Sequence, residues 1–415
     1  MMGIQIPGSK SMTHRAYILA ANSSGLKTIV NPLVSDDTNA TLSALNALGA
    51  QGAFDGTSRV CFGRRIGPKA SDVVIDCGNS GTTLRLMLGQ AARFETSVKF
   101  VGDASLSKRP NGQLIRCLEG LGPDIIGKDT LPIEIRGPMA GGRVQLDAVR
   151  SSQYISSLLM AMPYLDGDSE ISVTGPILSH PYVELTRSML EASGVRIAVH
   201  EQDDALVYRV AGQQQSSVQE LDVEGDWSSA AFMAVASLIS GRSMALLGLC
   251  AESKQADAAL LSLLGEFGYG YKWQGSHLFV SPDVVKGMVC VDLSATPDLF
   301  PALAVLAAAT GVDAKFTGAP HLRFKESDRI HLMARGLTDL GCRVVEHNDG
   351  LEVSGPPSRP ACIETEGDHR IQMAFELINL LRPGMVKIER SGAEQVSYPM
   401  FYKHLSLFLG SERRR

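Results

Sequence analysis

Apolar residues recur at helical spacing in six stretches that each run into a glycine, at Gly49, Gly122, Gly194, Gly268, Gly341 and Gly410. These glycines lie about 70 residues apart, and a fixed period signals a repeated structural unit. Four are preceded by leucine (Leu48, Leu121, Leu340, Leu409), while Phe267-Gly268 and Ser193-Gly194 are variants of the same helix ending. Glycine suits that place because the residue that stops a helix adopts a left-handed backbone.

After five of the glycines the pattern switches from a helical period to alternation, predicting strand, polar turn and strand, as at 59–63, 129–137, 204–212, 276–280 and 348–355. The sixth glycine is followed only by residues 411–415, and the stretch Ile4-Gln5-Ile6-Pro7-Gly8 has the pattern of the missing strand. The expectation is therefore that the N-terminal strand completes the last repeat. The chain would then divide into an N-terminal lobe, 9–224, and a C-terminal lobe, 1–8 plus 225–415, with crossings near Gly8 and Glu224-Gly225. Three α/β units per lobe make a two-lobed α/β protein.

The first helix of each unit opens on a polar signature before turning apolar: Lys10-Ser11-Met12-Thr13-His14-Arg15, Asn79-Ser80-Gly81-Thr82-Thr83-Leu84-Arg85, Ser151-Ser152-Gln153, Asp226-Trp227-Ser228-Ser229, Thr296-Pro297-Asp298 and Asp368-His369-Arg370. Ser, Thr, Asp and Asn are ordinary helix caps, so one copy alone means capping. Six copies, three of them carrying Lys or Arg, add something: under pseudo-threefold symmetry their positive helix ends and free N–H groups converge on an anion site between the lobes.

Composition adds little to the fold but narrows the function. With 415 residues, 44% hydrophobic and 20% charged, two domains are expected. A net charge of −5 argues against a nucleic-acid partner, which needs a positive field over a whole face. Seven scattered cysteines without CxxC spacing predict reduced thiols and neither a zinc site nor a disulfide framework. The longest apolar runs, 230–239 and 301–309, are too short to cross a bilayer and predict buried helices; with no basic or apolar leader at the N-terminus, a cytoplasmic protein without a membrane partner is expected.

Lys10, Arg15, Arg85, Arg109, Lys325, Arg329 and Arg370 all stand beside turns or helix starts, where cationic groups reach phosphates and carboxylates. So many point to a ligand with several anionic groups. Gly78-Asn79-Ser80-Gly81-Thr82-Thr83 can cradle an anion but is not GxxxxGK[ST], and GxGxxG is absent. Lys325-Glu326-Ser327-Asp328-Arg329 reads as the charged first turn of a helix. A carboxylate crowded by cations stays ionised whereas a less compensated one holds a proton, which makes Asp298 and Glu326 a base and acid pair.

As a set, Pro7-Gly8-Ser9-Lys10-Ser11 with Arg15, Gly78-Asn79-Ser80-Gly81-Thr82 with Arg85, Arg109-Pro110, Ser151-Ser152-Gln153, and Lys325-Glu326-Ser327-Asp328-Arg329 with Asp368-His369-Arg370 resemble the 5-enolpyruvylshikimate-3-phosphate synthase family, from Ile6 to about Tyr402. The resemblance implies a two-lobed inside-out α/β barrel, each lobe three βαβαββ-type repeats with inward helices, joined by two crossover strands that hinge closed on substrate. It implies transfer of the enolpyruvyl group of phosphoenolpyruvate to the 5-hydroxyl of shikimate 3-phosphate, with loss of phosphate and without a metal or organic cofactor, by a monomer. By the same resemblance, shikimate 3-phosphate falls to Lys10, Ser11, Arg15, Ser151, Ser152, Gln153, Ser179, Tyr182, Asp298, His321 and Lys325. Phosphoenolpyruvate falls to Lys10, Asn79, Gly81, Arg109, Gln153, Arg329 and Arg370, and the chemistry to Asp298, Glu326 and Lys10.

Three positions depart from the family pattern: His321 where many members have Asn, Val396 where some have a phosphate-binding Lys, and Leu86 where many have Pro. Lys403 is a candidate substitute for the missing lysine. Two rival functions stay open at this point. One is the UDP-N-acetylglucosamine enolpyruvyl transferase, which typically carries a reactive Cys in the loop occupied here by Ser105-Leu106-Ser107-Lys108. The other is a non-catalytic anion-binding scaffold, for which loss of the acid and base residues is expected.

Overall fold

Twelve α-helices in the computed structural model, which describes residues 3–147, 151–281 and 287–410, follow the predicted period. They are α1 (Lys10–Asn22), α2 (Asp36–Ala47), α3 (Gly81–Ala91), α4 (Gly112–Glu119), α5 (Ser152–Ala161), α6 (Pro181–Ala192), α7 (Trp227–Ser240), α8 (Leu260–Glu266), α9 (Phe300–Thr310), α10 (Arg329–Asp339), α11 (His369–Glu376) and α12 (Phe401–Gly410). The odd-numbered helices are the buried ones, and α3, α5, α7 and α9 are buried along nearly their whole length. The two apolar runs noted in the sequence are α7 and α9. Even-numbered helices such as α4 and α10 bury one face, as amphipathic patterns dictate.

Gly49, Gly122, Gly194, Gly268 and Gly341 all take positive φ, between 85° and 115°, just after α2, α4, α6, α8 and α10. A side chain there would clash with the following carbonyl, which is why the repeat keeps glycine. Gly410 differs, standing as the last residue of α12 itself. The tail at 411–415 lies outside the described residues.

The chain forms two compact units, one of Lys10–Val223 and one of Met1–Ser9 with Glu224–Arg415. These boundaries differ by one residue from those read from the sequence. In the first unit, three four-stranded sheets share one construction. A leading strand runs parallel to the strand that follows the odd-numbered helix, and a hairpin after the even-numbered helix completes the sheet in antiparallel fashion. Strands such as Arg143–Asp147 alternate exposed and buried, so each sheet turns one face outward and packs the other on the helices. The core of this unit runs from Ala16 to Val223; that of the other gathers Ile4 and Ile6 with residues from Trp227 to Phe408.

One expectation is corrected. The N-terminal strand, Gly3–Gln5, does not complete the last repeat but pairs in parallel with Ala245–Leu247, in the sheet of the fourth. The reason lies in the leading strands. Glu220–Asp222, which leads into α7, stays behind and pairs with Lys27–Val30 in the other unit. The sheet around Ala245–Leu247 thus lacks its leading strand, and Gly3–Gln5 takes that edge. The last repeat keeps only the two-stranded sheet of Ala361–Ile363 and Val386–Ile388. At the crossings, Gly8 bridges Gly225, the Ser9 N–H donates to the Glu224 carbonyl and the Asp226 N–H to that of Pro7.

Candidate active site

Five of the six polar signatures open an α-helix, with side-chain caps from Ser80 on α3, Ser151 on α5, Asp226 on α7 and Asp368 on α11. The sixth, Thr296-Pro297-Asp298, forms a 3-10 turn over Pro297–Leu299 that runs into α9.

In the unit Lys10–Val223, the site cations Arg15, Arg85 and Arg109 donate to neutral partners. The Lys10 ammonium lies 2.9 Å from the Asp37 carboxylate on α2. A chain of bonds from His14 to Thr41 to Thr83, ending on the Asp37 backbone carbonyl, ties α1, α2 and the start of α3 together. Burial holds His14 neutral, with Lys10 and Arg15 adding to the effect. Arg15 donates to the Thr186 hydroxyl at 2.7 Å, the Ser11 carbonyl at 2.8 Å and the Tyr182 carbonyl at 3.1 Å, and burial lowers its pKa to about 10. Ser179, one turn earlier, has φ of +58°. Arg85 donates to the Gln153 side-chain carbonyl at 2.7 Å and to Asn111 at 3.0 Å, while the Gln153 amide donates to Thr82 at 2.8 Å. Arg109 donates to Asn79 and to Ser105.

Gly81 explains itself by what surrounds it: a Cβ there would sit 3.2 Å from Arg109 Nη1 and 3.5 Å from Arg85 Nη1. Two guanidinium groups therefore flank the first turn of α3. Like charges are brought that close where an anion is to be held, and the helix end adds to the field.

The unit containing Glu224–Arg415 is organised around carboxylates. Arg329, 1% exposed, donates from Nε to Asp368 at 2.8 Å, from Nη1 to Asp298 at 2.9 Å and from Nη2 to Glu326 at 2.7 Å. Arg370 donates to the second oxygen of Asp298 at 2.9 Å. Burial alone would raise the Asp298 carboxyl, but Arg370, Lys325 and Arg329 hold it well below the ordinary carboxylate range, against a smaller push from Glu326. Burial lowers Lys325, with Asp298 opposing. Burial lowers His321 to about 3, assisted by Lys325, so the imidazole at this position is neutral. The motif 325–329 is not a solvated helix turn: Ser327 and Arg329 are buried, Asp328 caps the helix through the His331 N–H, and α10 begins only at Arg329.

Sequence reasoning missed Asp257. It is 2% exposed, it accepts a hydrogen bond from Ser228 at the start of α7, and its other oxygen has no hydrogen-bond partner among the described residues. Burial raises its pKa to about 7, with Asp298 adding to the rise. No local motif announces it, because it belongs to the short 3-10 turn Ala256–Ala259 rather than to a polar signature. Asp37 was missed for the same reason. Arg85 was noted only as a cation, and its grip on Gln153 joins it to the predicted set. Val396 is half-buried at the end of the turn Ala393–Val396, and Lys403 is exposed on α12. Among the described residues no cluster of His, Cys, Asp or Glu is arranged to hold a metal ion.

Residues 2–405 match the family described as EPSP synthase (3-phosphoshikimate 1-carboxyvinyltransferase). A 3-phosphoshikimate 1-carboxyvinyltransferase of Methanocorpusculum labreanum is 38% identical over 415 residues, covering 99% of this chain and 96% of the relative. The solved EPSP synthase of Acinetobacter baumannii superposes with a TM-score of 0.76 at 27% identity, over 98% of this chain and 94% of that one. The enolpyruvyl transferase NikO of Streptomyces tendae, at 16% identity, TM-score 0.75 and coverage of 98% and 94%, shares the fold.

Proposed function

This chain belongs to the EPSP synthase family, and from that premise we propose how its residues divide the transfer of the enolpyruvyl group from phosphoenolpyruvate to shikimate 3-phosphate. The observation that carries the proposal is the Arg329 node, where one buried guanidinium joins Asp298, Glu326 and Asp368 while Arg370 takes the remaining oxygen of Asp298.

Asp298, kept ionised by three cations, accepts the proton of the attacking 5-hydroxyl. Glu326 delivers a proton to C3 of the enol as the new C–O bond forms at C2, giving a tetrahedral intermediate. A methyl proton then passes back to Glu326 as the C2–O bond to phosphate breaks, Asp298 gives up its proton to the departing phosphate, and the enol ether and inorganic phosphate are released. Charge develops at C2 and on the departing phosphate, and fixed cations that need no reorganisation stabilise it.

Lys10, Arg109 and Arg370, with Asn79, Gly81 and Gln153, hold the phosphate and carboxylate of phosphoenolpyruvate. Arg329 keeps only part of its five N–H donors for this, since three are engaged by carboxylates. Ser11, Arg15, Ser151, Ser152, Gln153, Ser179, Tyr182, His321 and Lys325 take shikimate 3-phosphate, with Lys10 common to both substrates. We assign the two crossings at Gly8 and Gly225 the role of hinge. No helix among the described residues is long and apolar enough to cross a membrane, and the free cysteines suit a reducing cytoplasm. A monomer is the working state we assign.

Phosphate release from phosphoenolpyruvate separates the alternatives. Release is expected with shikimate 3-phosphate and not with UDP-N-acetylglucosamine; the reverse result overturns the acceptor, and release with neither overturns catalysis.

A further inference from the structure

A cavity of about 650 Å³ lies in the unit Lys10–Val223, lined by Ser24, Gly25, Lys27, Gly49 and residues 63–69. It sits past the C-terminal end of α1, whereas Lys10 begins that helix; thirteen residues of α-helix separate the two by about 20 Å. Four cations line it, Lys27, Arg64, Arg65 and Lys69, and no carboxylate does. None of the four forms an ion pair among the described residues. Lys27 has 0% exposure, and its ammonium has no hydrogen-bond partner among the described residues. A buried ammonium left unpaired costs several kcal/mol in general, so proteins retain one where something else pairs with it.

Arg93, by contrast, is partnered: it donates to the side-chain oxygens of Asn22 at 2.6 Å and of Gln90 at 2.8 Å. The loop that carries residues 63–69 is not free to rearrange. The N–H groups of Gly63, Ile66 and Gly67 are bonded to the carbonyls of Gln51, Ala21 and Leu48, and the Lys69 N–H to Thr96. The backbone thus fixes the loop and leaves the side-chain cations to face the cavity.

We infer that this cavity is a second anion site, distinct from the residues that carry the reaction, and that its ligand is a small polyanion bearing two or more phosphoryl groups. Burial and the neighbouring Arg65 both lower the pKa of Lys27, as an ammonium awaiting a counter-charge does. The reading stands apart from the proposed catalytic function, because its variants touch none of the catalytic or substrate-binding residues.

Pyrophosphate is the probe, followed by isothermal titration on the full chain. The wild type is expected to bind one equivalent outside the reaction site, so that an Arg370→Ala variant keeps it. Lys27→Met and, independently, Arg65→Gln are expected to weaken that binding at least about 10-fold while leaving phosphate release from phosphoenolpyruvate unchanged in the absence of pyrophosphate. Arg65 is exposed, so its variant tests the site even if replacement of the buried lysine disturbs folding. Three results overturn the inference: no saturable binding up to about 1 mM, loss of all binding with Arg370→Ala, or equal affinity in wild type and Arg65→Gln.

Discussion

The candidate site residues of the two units treat charge in opposite ways. In Lys10–Val223, Arg15, Arg85 and Arg109 are held by amides, hydroxyls and carbonyls, and Asp37 on Lys10 is the carboxylate that intervenes. In the other unit Arg329 and Arg370 are wrapped in Asp298, Glu326 and Asp368. Neutral partners orient a guanidinium without spending its charge, so the first arrangement keeps its field for an incoming anion. A compensated network does the reverse, spending cationic charge inside the protein to set the protonation of carboxylates. In the proposed mechanism the first arrangement serves binding, while the second, besides the share of Arg370, His321 and Lys325 in binding, sets the protonation of Asp298 and Glu326.

Breaking the proton-handling side is expected to have the largest effect. Asp298→Asn removes the base and the shared partner of two arginines, and kcat should fall by about 10⁴-fold, the upper end for acid–base groups, with KM little changed. A loss confined to KM would assign Asp298 to binding instead. Next comes Arg329→Leu, which leaves three carboxylates without their common partner; about 4 kcal/mol of stability should be lost in urea melts. A melt unchanged from wild type would mean the node is not structural.

On the binding side, Lys10→Met should cost about 30-fold in kcat/KM, measured by phosphate release. The smallest expected effect is that of Asp257. Its folded pKa, raised to about 7, means the folded state holds its proton more tightly than the unfolded chain does. Its contribution is therefore most favourable at low pH and declines as pH rises from about 4 through 7. Asp257→Asn should consequently gain about 1 kcal/mol on wild type at pH 8 relative to pH 6. A gain equal at both pH values would show that Asp257 is ionised throughout.

Much of this was legible in the sequence, and the parts that were not share one cause. The terminal glycines, the capping residues and the alternation of the hairpins are local signals, and Gly49 or Asp368 announces its role within a turn of its own position. The cations too were legible, because they stand in those turns. Long-range pairing was not. Gly3–Gln5 has the alternation of a strand, but nothing in it names Ala245–Leu247 as its partner. Likewise Asp37 and Asp257 are plain surface-type residues in sequence, and only folding brings one against Lys10 and buries the other.

The exchanged leading strands also set a timetable for the nascent chain. Lys10–Val223 can close its three sheets once Glu220–Asp222 has left the ribosome, whereas Gly3–Gln5 waits for Ala245–Leu247, about 240 residues behind it, which at common translation speeds takes roughly 10 to 50 s. Throughout that interval Gly3–Gln5 stays an unsatisfied edge, and the second unit cannot finish assembling until it is recaptured.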